Sequence, residues 1–296
     1  MNNRIMLNRS FTSFGIVATI IFFMVSAIGT AQNNFIFGTY KKPVLLEKLE
    51  EYQEKEKANW ENLWFYISYH HLNSATPMDV IPFAYTGYSG LHFGFLTDFG
   101  NIEDLESAPI VAITSGADPP IFMVAQNLEE FLSFICYAQS ALLLQEPFAT
   151  QGEFEKAKDY EFDGQEGTEY MDRVRKTVTI LHDELNVPFI SEDITVLMGR
   201  SIERRKKSVD VKTVDSLGLT LKQTEPIIKF PYSKDLKEIE RFLDSSNYSS
   251  RLIFYRNATS WYILSEGYDD GIEKLIIKYL KKDGLNREAE VLEKNY

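Results

Sequence analysis

Four short apolar runs follow one another between Val80 and Ala125, and the corners joining them leave few ways to fold. DVIPFAYT and LHFGFLT alternate their side chains on either side of Gly87-Tyr88-Ser89-Gly90, the pattern of a β-hairpin with a glycine-rich corner. PIVAIT and PIFMVA flank SGADP, where Gly116 and the Pro119-Pro120 pair impose a turn. The spacing therefore predicts four strands. Helical signals bracket them. Upstream, PVLLEKLEEYQEKEKANWENLWFYISYHH repeats Leu45, Leu49, Tyr52, Leu63 and Ile67 at helical intervals, as one amphipathic helix or a pair. Downstream, Asn127 and Glu130 form a capping-box-like start for NLEEFLSFICYAQSALLL, whose Leu128, Phe131, Leu132, Ile135 and Leu142 make one apolar face.

From Gln145 to Gly167 the chain turns acidic and glycine-bearing, which reads as an exposed crossover. Two helices follow, TEYMDRVRKTVTILHDEL and a second opening at the cap Ser191 in SEDITVLMGRSIERR. SVDVKTV alternates as a strand, and QTEPIIKFPYSK, with two prolines and no period, reads as a linker. Beyond it KDLKEIERFLDSS, RLIFYRNA, SWYILSE and DGIEKLIIKYLKKDG read as helix, strand, strand, helix, closed by a helical NREAEVLEKN. The expected fold is α+β: a mixed or antiparallel sheet packed by helices over residues 32–225, then a small α/β module over 226–296.

Residues 1–31 stand apart. Arg4 and Arg9 precede an apolar run from Phe14 to Ala31 that ends in the small residues Gly29, Thr30 and Ala31. This predicts an export signal cut after Ala31, or a transmembrane helix in which residues 14–31 anchor the chain. Either places the remainder outside the cytoplasm, in the cell envelope, because the arginines hold the N-terminus inside. The alternative is a buried N-terminal helix of a cytoplasmic domain.

The net charge of −12 excludes a nucleic-acid binder of ordinary kind and favours a basic partner. Local chemistry is sparse. Ser89 lacks the closing glycine and following helix of a nucleophile elbow, and His92, on a strand beside the hairpin, reads as a structural histidine. Adjacent His70 and His71 diverge and cannot form a zinc pair. No phosphate-binding glycine loop occurs. Cys136 lies in the apolar FLSFICYA and reads as a buried small hydrophobe, while Arg204-Arg205-Lys206-Lys207 reads as a solvated helix C-terminus. The reading is of a protein without catalytic residues, metal or cofactor. Asp98, Glu103, Asp104 and Glu106 follow a strand end, where a loop is exposed, and are the acids expected to meet a partner.

The order of helix, IPFAYTGYSGLHFGFL and APIVAITSGADPPIFMVAQNLEEFL resembles the SUKH superfamily. The likeness is carried by Pro82-Phe83-Ala84, Gly87, Gly90, His92-Phe93-Gly94 and Val124-Ala125 through Phe131-Leu132, and SVDVKTVDSLGL is similar to the tail of a bacterial branch of that group. It covers roughly Trp60 to Leu221; the segment after Pro226 is not part of the common pattern. The resemblance implies a non-enzymatic protein-binding module, an immunity protein that neutralises a basic toxin domain. The competing expectation is an envelope-associated hydrolase or carbohydrate-binding protein, with Trp60, Trp64 and Trp261 as stacking platforms.

Overall fold

The computed structural model describes residues 36–70, 75–114, 117–223, 225–230, 235–259 and 270–294. The chain divides into a unit Met1–Thr39 and a unit Tyr40–Tyr296, the second of which holds the sheet and the helices around it. The apolar run of residues 14–31, His71 and SWYILSE lie outside the described residues. Among the described residues no helix is long and apolar enough to cross a membrane.

The fold is α+β, with a five-stranded meander in sequence order: β1 (Tyr66–Ile67), β2 (Val80–Tyr85), β3 (His92–Leu96), β4 (Ile110–Ile113) and β5 (Ile121–Ala125). Every neighbouring pair is antiparallel. The four strands expected between Val80 and Ala125 form. β1 is an additional short edge strand, in a segment whose period reads as helical. The corner before β3 needs a left-handed backbone at Gly87 (φ 74°), Ser89 (φ 49°) and Gly90 (φ 68°), which explains its glycines.

Both faces of the sheet are covered, so the strands are almost continuously apolar rather than alternating apolar and polar. On one face Phe131, from helix α2 (Leu128–Ala138), sits 4.7 Å from the ring of Phe93 and 5.7 Å from that of Phe83. On the other, Val80, Leu96, Val111, Ile113, Ile121 and Met123 pack with Leu217 and with Ile202 of helix α5 (Ile194–Ser208). Gly94 lies on this second face; a Cβ there would meet Val80 Cγ1 at 2.3 Å, so the close approach of β2 requires glycine. Asn127 caps α2 by accepting the Glu130 N–H at 2.9 Å, as the capping-box spacing predicts.

Three segments differ from the sequence-based expectation. The acidic stretch after Gln145 contains a helix, α3 (Gln151–Glu161), capped by Thr150 and anchored by the fully buried Phe154. SVDVKTV is not a strand: it forms a loop with a single bridge, Val211 to Leu219. RLIFYRNA lies within helix α7 (Tyr248–Ala258), opened by Asn247, which accepts the Ser250 N–H at 2.9 Å. The remaining helices are α1 (Val44–Glu54), α4 (Glu169–Asp183), α6 (Leu236–Ser245), α8 (Asp270–Lys282) and α9 (Asn286–Lys294), so the elements described after Leu236 are all helical. Their apolar faces share one core with Met78, Phe99 and Leu219.

Candidate functional site

Of the four acids expected at a binding rim, Glu103, Asp104 and Glu106 are exposed and Asp98 is not. Glu103 is exposed and pairs with Lys222 at 2.5 Å. Asp104 accepts the Glu106 N–H at 3.0 Å within its own turn, and Glu106 accepts the Val44 N–H at 2.6 Å, satisfying a free donor of the first turn of α1. Asp98 corrects the expectation outright, being fully buried. The left-handed backbone at Asp98 (φ 49°) and Phe99 (φ 54°) bends the chain at the end of β3, and the carboxylate turns inward.

There it joins a buried cluster of three aspartates and two arginines. Arg205 donates to both oxygens of Asp98, at 2.7 and 2.9 Å, and to the carbonyls of Leu217 and Gly218, each at 2.9 Å. Arg205 is therefore not part of a solvated basic run, as its sequence setting suggests. Arg256, from α7, reaches Asp98 at 3.2 Å and Asp215 at 3.3 Å, and bonds Asp79. Thr220 donates its N–H to Asp98 at 3.1 Å. The cluster ties β2 and the end of β3 to α5, the 209–220 loop and α7.

Its charges do not balance, and burial decides which group yields. Three carboxylates face two guanidiniums, and burial pushes Asp79 up to about 6 against the pull of Arg256, with Asp98 adding repulsion. Burial also works to raise Asp98, but the hydrogen bonds and charge of Arg205, helped by Arg256, hold it below the usual carboxylate range. The Arg256 guanidinium is raised by its three carboxylates despite burial. One oxygen of Asp79 and Nε of Arg256 have no hydrogen-bond partner, consistent with an imperfectly matched pair.

The stability consequence has a definite sign. Asp79 holds its proton in the folded chain up to about pH 6, whereas the unfolded carboxyl releases it near 3.8. Its contribution therefore favours folding below the unfolded value and is lost as pH rises from there through 6, a change of about 3 kcal/mol. Asp98 runs the other way, giving stability above its unfolded value that is lost as pH falls through its depressed one. Asp79→Asn, which mimics the protonated form, is expected to leave stability near pH 4 within about 1 kcal/mol of wild type and to raise it at pH 7 by up to about 3 kcal/mol. Urea unfolding at the two pH values checks this; equal pH slopes for both proteins would show that folding does not raise Asp79.

Other singled-out residues have structural work. His92 is 1% exposed, with Nδ1 donating to the Gly90 carbonyl at 2.9 Å and Nε2 2.9 Å from the Thr76 hydroxyl. Burial raises the Cys136 thiol to about 12, which disfavours the nucleophilic thiolate. Trp60, expected as a stacking platform, is 1% exposed and donates Nε1–H to the Leu49 carbonyl at 2.9 Å. Trp261 lies outside the described residues. Among the described residues no group of three or more His, Cys, Asp or Glu side chains is placed to hold a metal ion.

The acids that do gather at the surface lie in the segment read as a crossover. Residues 145–169 carry eight acidic side chains against two lysines. Glu155, Asp159, Asp163 and Glu166 line an open cavity of about 430 Å³ between α3 and the start of α4. Asp159, Asp163 and Glu166 are exposed. Lys158 also lines this cavity; it donates to the Tyr137 carbonyl at 2.6 Å, and burial lowers its pKa despite the pull of Glu155 and Asp159. Tyr160, on the same helix but not among the residues lining the cavity, is 86% exposed. A readable signal was present, because Thr150-x-x-Glu153 is a capping box that predicts a helix. Neither a protein-family model nor a curated protein matches the chain.

Proposed function

We propose that this chain is a non-enzymatic protein-binding module for a basic partner, and that its specific role is that of an immunity protein blocking a toxin domain. The observation that carries the reading is the acidic groove of Glu155, Asp159, Asp163 and Glu166. Carboxylates gathered at one accessible groove supply long-range steering of a basic surface, which speeds protein association and selects its partner. The resemblance to the SUKH superfamily supports it, since that group implies an α+β scaffold used for binding. Among the acids expected at the rim, Glu103, Asp104 and Glu106 keep exposed positions open to a basic partner.

The test is a titration of a basic toxin domain with the purified protein. Toxin activity is expected to fall to its floor at one equivalent. Full activity at tenfold excess would reject the immunity role.

A further inference from the structure

A second groove has the opposite character. It runs between residues 227–230 and helices α6 and α7, with a volume of about 400 Å³, within the range of small-molecule sites. Three rings line it together: Phe230 lies 5.1 Å from Phe242 and 4.9 Å from Phe254, and those two are 5.6 Å apart. Ile253 extends this apolar lining, and Ile228, 46% exposed, stands on the rim. Water-facing isoleucine beside a phenylalanine-lined groove is apolar area that folding alone leaves uncovered.

The charged lining gives the direction. In a chain with 43 acidic residues, the described residues lining this groove include no carboxylate and two lysines, Lys212 and Lys229. Both are exposed, and among the described residues neither forms an ion pair. The neighbouring polar acceptors are engaged with the backbone: Ser250 Oγ accepts the Ile228 N–H at 2.9 Å, and Asn257 Oδ1 accepts the Val214 N–H at 2.9 Å. The charge that meets a polar head is therefore that of the two ammonium groups, which select an anion, while the rings select an alkyl body.

We propose that this groove binds a medium-chain carboxylate, its alkyl chain over Phe230, Phe242 and Phe254 and its head between Lys212 and Lys229. The site is independent of the acidic groove on 145–169, so either can fail without the other.

Isothermal titration calorimetry of the full chain with octanoate, decanoate and dodecanoate, below their micelle concentrations, tests this. Each added methylene should tighten binding about fourfold, or about fifteenfold per step of the series, until the groove is filled. K212E/K229E should weaken decanoate at least tenfold while leaving the neutral 1-decanol within twofold. Ile228→Asp, at an exposed position where folding is not at stake, should weaken both. Affinity independent of chain length, equal binding of decanoate and decanol, or decanoate binding unchanged in K212E/K229E would each overturn the proposal.

Discussion

Arg256→Ala is expected to cost about 3–5 kcal/mol of folding stability, the cost of removing one partner from a buried ion pair. Arg256 is fully buried among Asp79, Asp98 and Asp215. Arg205 compensates only Asp98 by direct hydrogen bonds, so the substitution strands Asp79 and Asp215 without a cation. Protonating Asp79 relieves one of these charges, which keeps the loss from growing further. At 2–4 °C per kcal/mol the melting temperature should fall by on the order of 10 °C. The control is Lys222→Ala, which breaks the exposed pair with Glu103 and should change stability by about 0–1 kcal/mol. If the two variants melt together, the cluster does not hold the C-terminal helices to the sheet.

Phe131→Ala should cost about 3–5 kcal/mol for a different reason, the loss of transfer energy together with the cavity left behind. Phe131 is fully buried and touches three other rings, with centroids 6.1 Å away at Phe65, 5.7 Å at Phe83 and 4.7 Å at Phe93. It is the point where α2 keys into the sheet. Phe131→Leu keeps most of the volume and should cost less than half as much. Tyr160→Ala, at an exposed position, should stay within about 0.5 kcal/mol of wild type. Chemical denaturation of the three variants checks the order; a Phe131→Ala loss no larger than that of Tyr160→Ala would contradict this packing.

The sheet was legible because its signals are local. Gly87 and Gly90 mark the corner, short apolar runs bounded by turn residues mark β2 and β3, and Asn127-x-x-Glu130 marks the start of α2. RLIFYRNA was not, since its aromatic and branched residues favour strands in isolation, while burial on nearly every side makes it a helix. That fold context also hid Arg205 and Asp98. Within the basic run, Arg205 continues the buried stripe Ile194, Met198 and Ser201 of α5, a helical period that could have singled it out. Its partner lies more than a hundred residues away, and no spacing rule connects them. Asp98 looked like a loop acid because it follows a strand; the left-handed bend that turns it inward falls on Asp98 and Phe99, which are not glycines, and only Gly100 after them marks it. The acidic groove was legible as charge and missed as structure: the acidic, glycine-bearing composition reads as a loop and outweighs the one local signal, the Thr150-x-x-Glu153 cap, of the helix that fixes Glu155 and Asp159 on one side of a cavity.

The measurement that bears most directly on the binding reading is the association rate with a basic toxin domain at low and high salt, for wild type and for Glu155→Gln/Asp159→Asn/Asp163→Asn/Glu166→Gln. These amides preserve shape and remove four charges from one groove, leaving the buried cluster of Asp79, Asp98 and Asp215 intact. The account predicts a wild-type rate that falls steeply with salt and a variant that associates at least about tenfold more slowly at low salt with a nearly flat salt dependence. A variant that folds and associates at the wild-type rate in low salt would place the contact elsewhere and contradict the assignment of binding to this groove.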